Sequence, residues 1–283
     1  MRFRDLIAHM GSLDLGERGS PVRPPRDNVR SVQNALAAGL ADEDFALDCI
    51  ELELDSALRA RQTPGARANV PAFHAIEERG IFFRIFYWPP GKKAPPHEHA
   101  SWTVTAVFHN ALTVTTYDWD TAVRERRLVS KNEFAAERGR AGHIYESCIH
   151  RPSNPTDRLA TSVHIFNAND RPTLASDVGP IEGLADDMAA RPWPAEPEVF
   201  ERALAAWRQN LLLMHADMLS RFDSTRAKEI LERVFFRGNP LVKFVVSMVV
   251  KRIDATRSET MFEELVAIAP EFRERAALVT LRS

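Results

Sequence analysis

Apolar residues recur along this chain with two different periods, and the period changes twice. Between about Asp27 and Arg61, Val29, Val32, Ala35, Leu36 and Leu40 follow helical spacing. Phe45, Cys49, Leu52 and Leu58 repeat that spacing in a second segment, which Asp42 or Asp44 could begin. The pattern predicts two helices. Beyond Thr63-Pro64-Gly65 the residues turn aromatic and β-branched. Ile81–Trp88 reads as a strand, as do Trp102–Phe108 and Ala111–Trp119, the latter two joined at His109-Asn110, where asparagine tolerates a left-handed turn. Val123–Val129, Ile144–Ile149 and Leu159–Phe166 complete a set of short strands with turn residues between them, which argues a sandwich or barrel.

From Asn167 to Pro197 the composition shifts to Asp, Pro and Ala, the signature of a linker or a wrapped loop. Helical spacing then returns, with Phe200, Leu204, Trp207, Leu211 and Met214 on one face. Asn239-Pro240 supplies a cap followed by proline at the first helical position, and Ser258 is expected to start a further helix. The stripe Leu241, Phe244, Val245, Met248 and Val249 is expected as helix core or an interface. The resulting division is 1–178 for N-terminal helices and strands, and 179–283 for a helical C-terminal module.

Composition narrows the partners. A net charge of −2, from 37 Lys+Arg against 39 Asp+Glu, gives no electrostatic reason to expect nucleic acid. Cys49 and Cys148 are the only cysteines, so there is no disulfide framework and a reducing compartment is the simple reading. The most apolar stretch, Leu241 to Ile253, is interrupted by Lys243 and Lys251 and is too short to span a bilayer. The N-terminus lacks the apolar core of a signal peptide, so a cytoplasmic protein without membrane contact is expected.

The candidate chemistry lies in histidines. His97 and His99 flank Glu98, and on an extended segment residues i and i+2 point to the same side. A third imidazole from a later strand, His150, can close one face of a divalent metal. Neutral imidazole suits iron, zinc, nickel and copper, and three protein ligands leave positions open for chemistry. Ser162 and His164 share one strand face, where His164 donates to a bound ligand, orients a ligating histidine, or is a satisfied core histidine. Arg84 lies mid-strand between Phe83 and Ile85. A guanidinium there must be paired or face a polar cavity, which makes it a candidate for gripping a substrate carboxylate, the alternative being a sheet edge that faces solvent or the C-terminal helices. Tyr87, Tyr145 and Trp88 are candidates for the pocket wall or for plain core, and His143 for a further polar group or a loop position. Cys148 shares the parity of His150, whereas Arg151 should point away.

Gly91-x5-His97-x-His99 is similar to the first cupin motif, and His150-x3-Asn154 to the end of the second. Within cupins the pattern resembles the thiol (cysteine) dioxygenases. Trp88-Pro-Pro-Gly91 precedes the histidine pair, His150-Arg-x-x-Asn154 carries the third histidine, and Ser162-Val-His164-Ile-Phe166 follows. Most cupins place a glutamate ligand four or five residues after the pair, where this chain has Thr103 and Val104. The resemblance covers roughly Ile81 to Asn167 and implies an α+β fold: a cupin β-barrel (double-stranded β-helix) with N-terminal helices and an all-α C-terminal module. It implies Fe(II), with zinc or nickel as alternatives, held by His97, His99 and His150. On the reading of the residues themselves, Ser162 and His164 are the catalytic candidates, and Arg84, Tyr87, Trp88 and Phe166 the candidates for substrate binding. The reaction would join dioxygen to a small thiol, giving a sulfinate.

Two departures leave the substrate open. Val104 and Phe166 stand where some animal members carry a cysteine–tyrosine crosslink, and the family's carboxylate-clamping arginine has no obvious counterpart. The alternatives are a cupin oxygenase acting on a carbon centre, and a metal- or ligand-sensing module that signals through the C-terminal helices. Those helices are expected to form a lid or a homodimer interface.

Overall fold

Phe3, Leu6 and Met10 stand three and four residues apart, and they form the buried stripe of a first helix, α1 (Phe3–Gly11), which the sequence reading did not anticipate. Then come α2 (Arg26–Leu40) and α3 (Glu43–Arg59). Asp42 rather than Asp44 caps α3: its carboxylate accepts the backbone N–H groups of Asp44 at 3.0 Å and Phe45 at 3.4 Å. The computed structural model describes residues 1–20, 22–66, 71–120, 127–167, 170, 173–174 and 192–274.

Among the described residues ten strands follow: β1 (His74–Ile76), β2 (Ile81–Trp88), β3 (His97–Glu98), β4 (Thr103–His109), β5 (Ala111–Asp120), β6 (Arg127–Glu137), β7 (Ala141–Ile144), β8 (Ile149–Ser153), β9 (Ala160–Asn167) and β10 (Thr173–Leu174). They make two five-stranded antiparallel sheets, ordered β1-β2-β9-β4-β7 and β10-β3-β8-β5-β6. Asn110 takes φ +60° between β4 and β5, as its position in the turn requires.

The period of two divides the first sheet into an apolar back and a mixed front. Phe83 and Ile85 of β2, Val163 and Ile165 of β9, and Val104 and Ala106 of β4 are all buried. Phe83 meets the Phe3 ring edge to face at 5.3 Å, and α2 packs on β4 and β7, so this back belongs to the helices. The front of the same strands carries Arg84 paired with His164, Phe86 paired with Ser162, and Thr105 paired with His164 from the other side. Those residues face the second sheet across a cavity.

Three expectations are corrected. Ile144–Ile149 is not one strand: Ile144 ends β7 and Ile149 begins β8, and the two strands belong to different sheets. Between them the Tyr145 hydroxyl donates to the Pro24 carbonyl at 2.7 Å, with Arg26 over its ring, which draws the chain off the ladder. The strand expected at Val123–Val129 falls partly on 121–126, outside the described residues, and β6 continues to Glu137. The stretch expected as a linker from Asn167 contains β10, which pairs Thr173 with Glu98 and Leu174 with His97.

The chain divides into two compact units, Met1–Ala195 and Glu196–Ser283. The described residues of the second contain α4 (Pro197–Leu219), α5 (Thr225–Arg237), α6 (Pro240–Val250) and α7 (Ala255–Ile268). Asn239 caps α6 as expected, accepting the Val242 N–H at 3.0 Å. The buried face of α6 is Val242, Val246 and Val250; Leu241 of the expected stripe is exposed. Ser258 lies inside α7 rather than at its start, because Asp254 takes the cap and accepts the Arg257 N–H at 2.9 Å. Among the described residues no helix is long and apolar enough to cross a membrane.

Candidate metal centre

The Trp88–His97 segment is set by a turn and an asparagine. Gly91 takes φ +72°, a conformation that costs other residues energy. Asn154, buried at the end of β8, donates its amide to the carbonyls of Trp88 at 2.7 Å and Arg158 at 2.7 Å. Its own N–H donates to the Lys92 carbonyl at 2.8 Å, and Ala94 N–H donates to Pro152 at 3.0 Å. The segment is thereby laid along β8, and β3 enters in register, His97 opposite His150.

His97, His99 and His150 come together as that register requires. One ring nitrogen from each lies within 4.8 Å of the others, a group that could hold a metal ion. Each Nδ1 faces an acceptor: His97 the Pro95 carbonyl at 2.9 Å, His99 the Asp170 carboxylate at 2.5 Å, and His150 the Cys148 carbonyl at 3.2 Å. Those oxygens only accept, so each ring carries its proton on Nδ1 and keeps the Nε2 lone pair for a ligand. Burial holds the His97 pKa below the ordinary histidine value. It pushes His150 down to about 3, with the neighbouring His97 adding to the effect. Neutral imidazoles with free Nε2 atoms fit a divalent transition metal.

No carboxylate joins this group among the described residues. Thr103 donates its hydroxyl to the Ile165 carbonyl at 3.2 Å, and Val104 faces the helices in register with Ile165. Glu98 is turned away, accepting the Ser147 hydroxyl at 2.5 Å.

Asp170 is the functional residue that the sequence reading missed. Its second oxygen accepts the backbone N–H groups of Ala100 at 3.0 Å and Ser101 at 3.3 Å, so one carboxylate fixes both the His99 ring and the chain after it. An aspartate among the polar residues of an apparent linker carries no signal of this role.

The other candidate residues line the same region. Trp88 Nε1 can only donate, and it donates to Ser162 Oγ at 2.8 Å. The Ser162 hydroxyl is then free to donate to His164 Nε2 at 2.8 Å, which leaves His164 Nδ1–H for Thr105 Oγ1 at 3.0 Å. Both His164 nitrogens are engaged within the wall, and burial pushes its pKa down to about 3, so it stands there as a neutral ring. A cavity of about 430 Å³ is lined by the three histidines together with Arg84, Trp88, His164 and Phe166. Arg84 Nε is buried without a hydrogen-bond partner, and its guanidinium lies 5.4 Å from the Phe166 ring centre. Tyr87 borders this cavity, but its hydroxyl points to α3 and donates to Glu53 at 3.1 Å. His143 bonds Gln33 of α2 at 2.5 Å, and Arg151 lies over Tyr117, pointing away from the histidines as expected.

No family model matches this chain, and neither does any curated protein. Solved structures to which it is similar include a sugar phosphate isomerase from the cupin superfamily of Silicibacter pomeroyi, at 16% identity and TM-score 0.28 over 34% of this chain and 57% of that one. Another is the oxalate decarboxylase of Lactobacillus farciminis in complex with formate, at 18% identity and TM-score 0.28 over 35% of this chain and 27% of that one. A third is described as a DMSP lyase, at 13% identity and TM-score 0.25 over 34% of this chain and 44% of that one. The chain thus spans from about a quarter to little more than half of the length of these proteins. At such identities and TM-scores the likeness carries no argument about the reaction.

Proposed function

We propose that the first unit is a cupin-type double-stranded β-helix and a non-haem Fe(II) dioxygenase that oxidises a small thiol to its sulfinate. The observation that carries the proposal is the ligand set: three imidazoles, each with Nδ1 turned to an oxygen acceptor, and no carboxylate among the candidate ligands of the described residues, Asp170 standing behind His99. Such a set puts no anionic protein ligand on a divalent ion, and an anionic thiolate is a substrate that would offset its charge. Iron held by His97, His99 and His150 would lower the thiol pKa and bring sulfur and dioxygen together. Both oxygen atoms end on sulfur, and sulfur supplies all the electrons that dioxygen takes up, so no co-reductant is needed.

The chain's own residues supply position and surroundings. Asp170, the Pro95 carbonyl and the Cys148 carbonyl hold the three rings in the ligating tautomer. Trp88, Ser162, His164 and Thr105 form a hydrogen-bonded wall whose polar atoms are satisfied among themselves, so the wall limits water beside the reacting sulfur without competing for it. Arg84 offers an unpaired donor to a substrate carboxylate.

The experiment is oxygen uptake by Fe(II)-reconstituted protein given cysteine, 3-mercaptopropionate, cysteamine or homocysteine, with His150→Ala as the control. Uptake with sulfinate product, lost in the variant, is expected. Iron-loaded protein that stays inert across the panel overturns the proposal.

A further inference from the structure

The ridge formed by Trp88, His150, Pro152 and His164 has a cavity on each side, because all four residues line both. The strands assign the two sides. Arg84 and Phe86 of β2 line only the cavity that contains His97 and His99. Thr105 and Val107 of β4 line only the other, a chamber of about 360 Å³. Val107, Leu112, Val114, Phe134, Ile144 and Cys148 give that chamber an apolar wall. Phe134, half-exposed on the edge strand β6, marks where it meets solvent. A volume of this order is in the range of roughly 300–1,000 Å³ that small-molecule sites occupy.

The two sides differ in what they ask of a ligand. The histidine side presents Arg84, whose buried Nε has no partner, together with Lys92. Burial depresses the Arg84 pKa while the nearby Glu53 opposes that effect, and the one carboxylate lining the cavity among the described residues, Asp170, is engaged by His99 and the N–H groups of Ala100 and Ser101. An unpaired buried donor of this kind is costly unless an anion meets it. The chamber also has Thr105, Thr116, Arg140 and His143 on its lining, but most of its surface is apolar and a hydrocarbon would cover it.

The geometry points to an amphiphilic carboxylate as the ligand of this unit: its carboxylate at Arg84, its apolar chain across the His150–His164 ridge and into the Val107–Leu112–Val114 chamber. The inference rests on the thiol reading only for the reacting group, and makes the substrate a mercapto acid with an apolar substituent of several carbons. The binding itself requires neither thiol nor turnover.

Calorimetric titration of the full chain with butanoate, hexanoate, octanoate and decanoate tests it. Affinity is expected to rise about fourfold per added methylene until the chamber is full. Val114→Phe, which fills the chamber, should flatten that rise; Ala136→Leu on the exposed strand β6 is a milder filling should the first variant fail to fold. Octan-1-ol should bind at least about tenfold more weakly than octanoate, as loss of one charge-assisted contact implies. Affinity independent of chain length, or a rise that neither filling variant alters, overturns the apolar half. Equal binding of alcohol and carboxylate overturns the anionic half. Failure of oxygen uptake with thiols would leave these titrations intact, so the two readings fail separately.

Discussion

Replacing Asp170 by asparagine probes the centre through a residue that is not itself a ligand. The aspartate side chain is 3% exposed and its two oxygens have separate tasks: one accepts His99 Nδ1–H at 2.5 Å, the other the N–H groups of Ala100 and Ser101 at 3.0 and 3.3 Å. Asparagine keeps one acceptor and gains an NH₂. If its oxygen stays on the backbone, the NH₂ faces the ring and His99 must accept through Nδ1, which moves the proton to Nε2 and removes the ligating lone pair. If the amide flips, the NH₂ meets two backbone donors and the chain after His99 is released. Either way the loss matches that seen when an outer hydrogen bond to a ligating histidine is removed, about 10–100-fold in metal affinity, or about 1.4–2.8 kcal/mol. Asp170→Ala, which imposes no wrong tautomer, should fall at the lower end. The assay is competition between apo-protein and a chromophoric chelator for Zn(II) or Fe(II), run beside His99→Ala. An asparagine variant with wild-type affinity refutes the reasoning.

Three more outcomes follow from the same geometry. Glu53 is held at about 8 by burial, against an ordinary 4.5, with the Tyr87 hydrogen bond and the Arg84 charge pulling it back. The folded chain keeps a proton that the unfolded chain releases across that interval, so stability is full below about pH 4.5 and falls, by on the order of a few kcal/mol, as pH rises to about 8. Urea titrations across that range should show the decline, and Glu53→Gln should remove it; an unchanged slope contradicts the assignment. Arg84→Met should lower kcat/KM for 3-mercaptopropionate about 10–100-fold and leave cysteamine unaffected, since only the former carries a carboxylate. Equal losses for both thiols would make Arg84 structural. Phe83→Ala should cost about 3–5 kcal/mol in denaturant unfolding, because its buried ring meets Phe3, Phe73 and His74 at once; a negligible change would contradict that packing.

Legibility in the sequence tracked local pattern. β2 was readable to the residue, since its aromatic and β-branched run alternates between helix-facing and cavity-facing positions. The three histidines were readable because β-strand parity aligns His97 with His99, and because His150 falls in a matching motif. Asp170 was not readable: it reaches His99 across 71 residues of chain, from a segment whose composition resembles a linker. The break between β7 and β8 escaped for a similar reason, since the anchor that pulls Tyr145 aside is the Pro24 carbonyl 121 residues earlier. Helix α1 was overlooked although its stripe of Phe3, Leu6 and Met10 is regular, because nine residues offer a period little room to declare itself. Tyr87 shows the limit of composition: a strand tyrosine reads as pocket wall until parity sends its hydroxyl to Glu53.

The central claim is that His97, His99 and His150 hold a metal at which a thiol and dioxygen combine. Its most direct test is turnover of a mercapto acid by Fe(II)-loaded protein under ¹⁸O₂, with mass spectrometry of the product. A sulfinate carrying both labelled atoms, absent in His150→Ala, is expected. A disulfide, or a sulfinate with one oxygen from water, would contradict it.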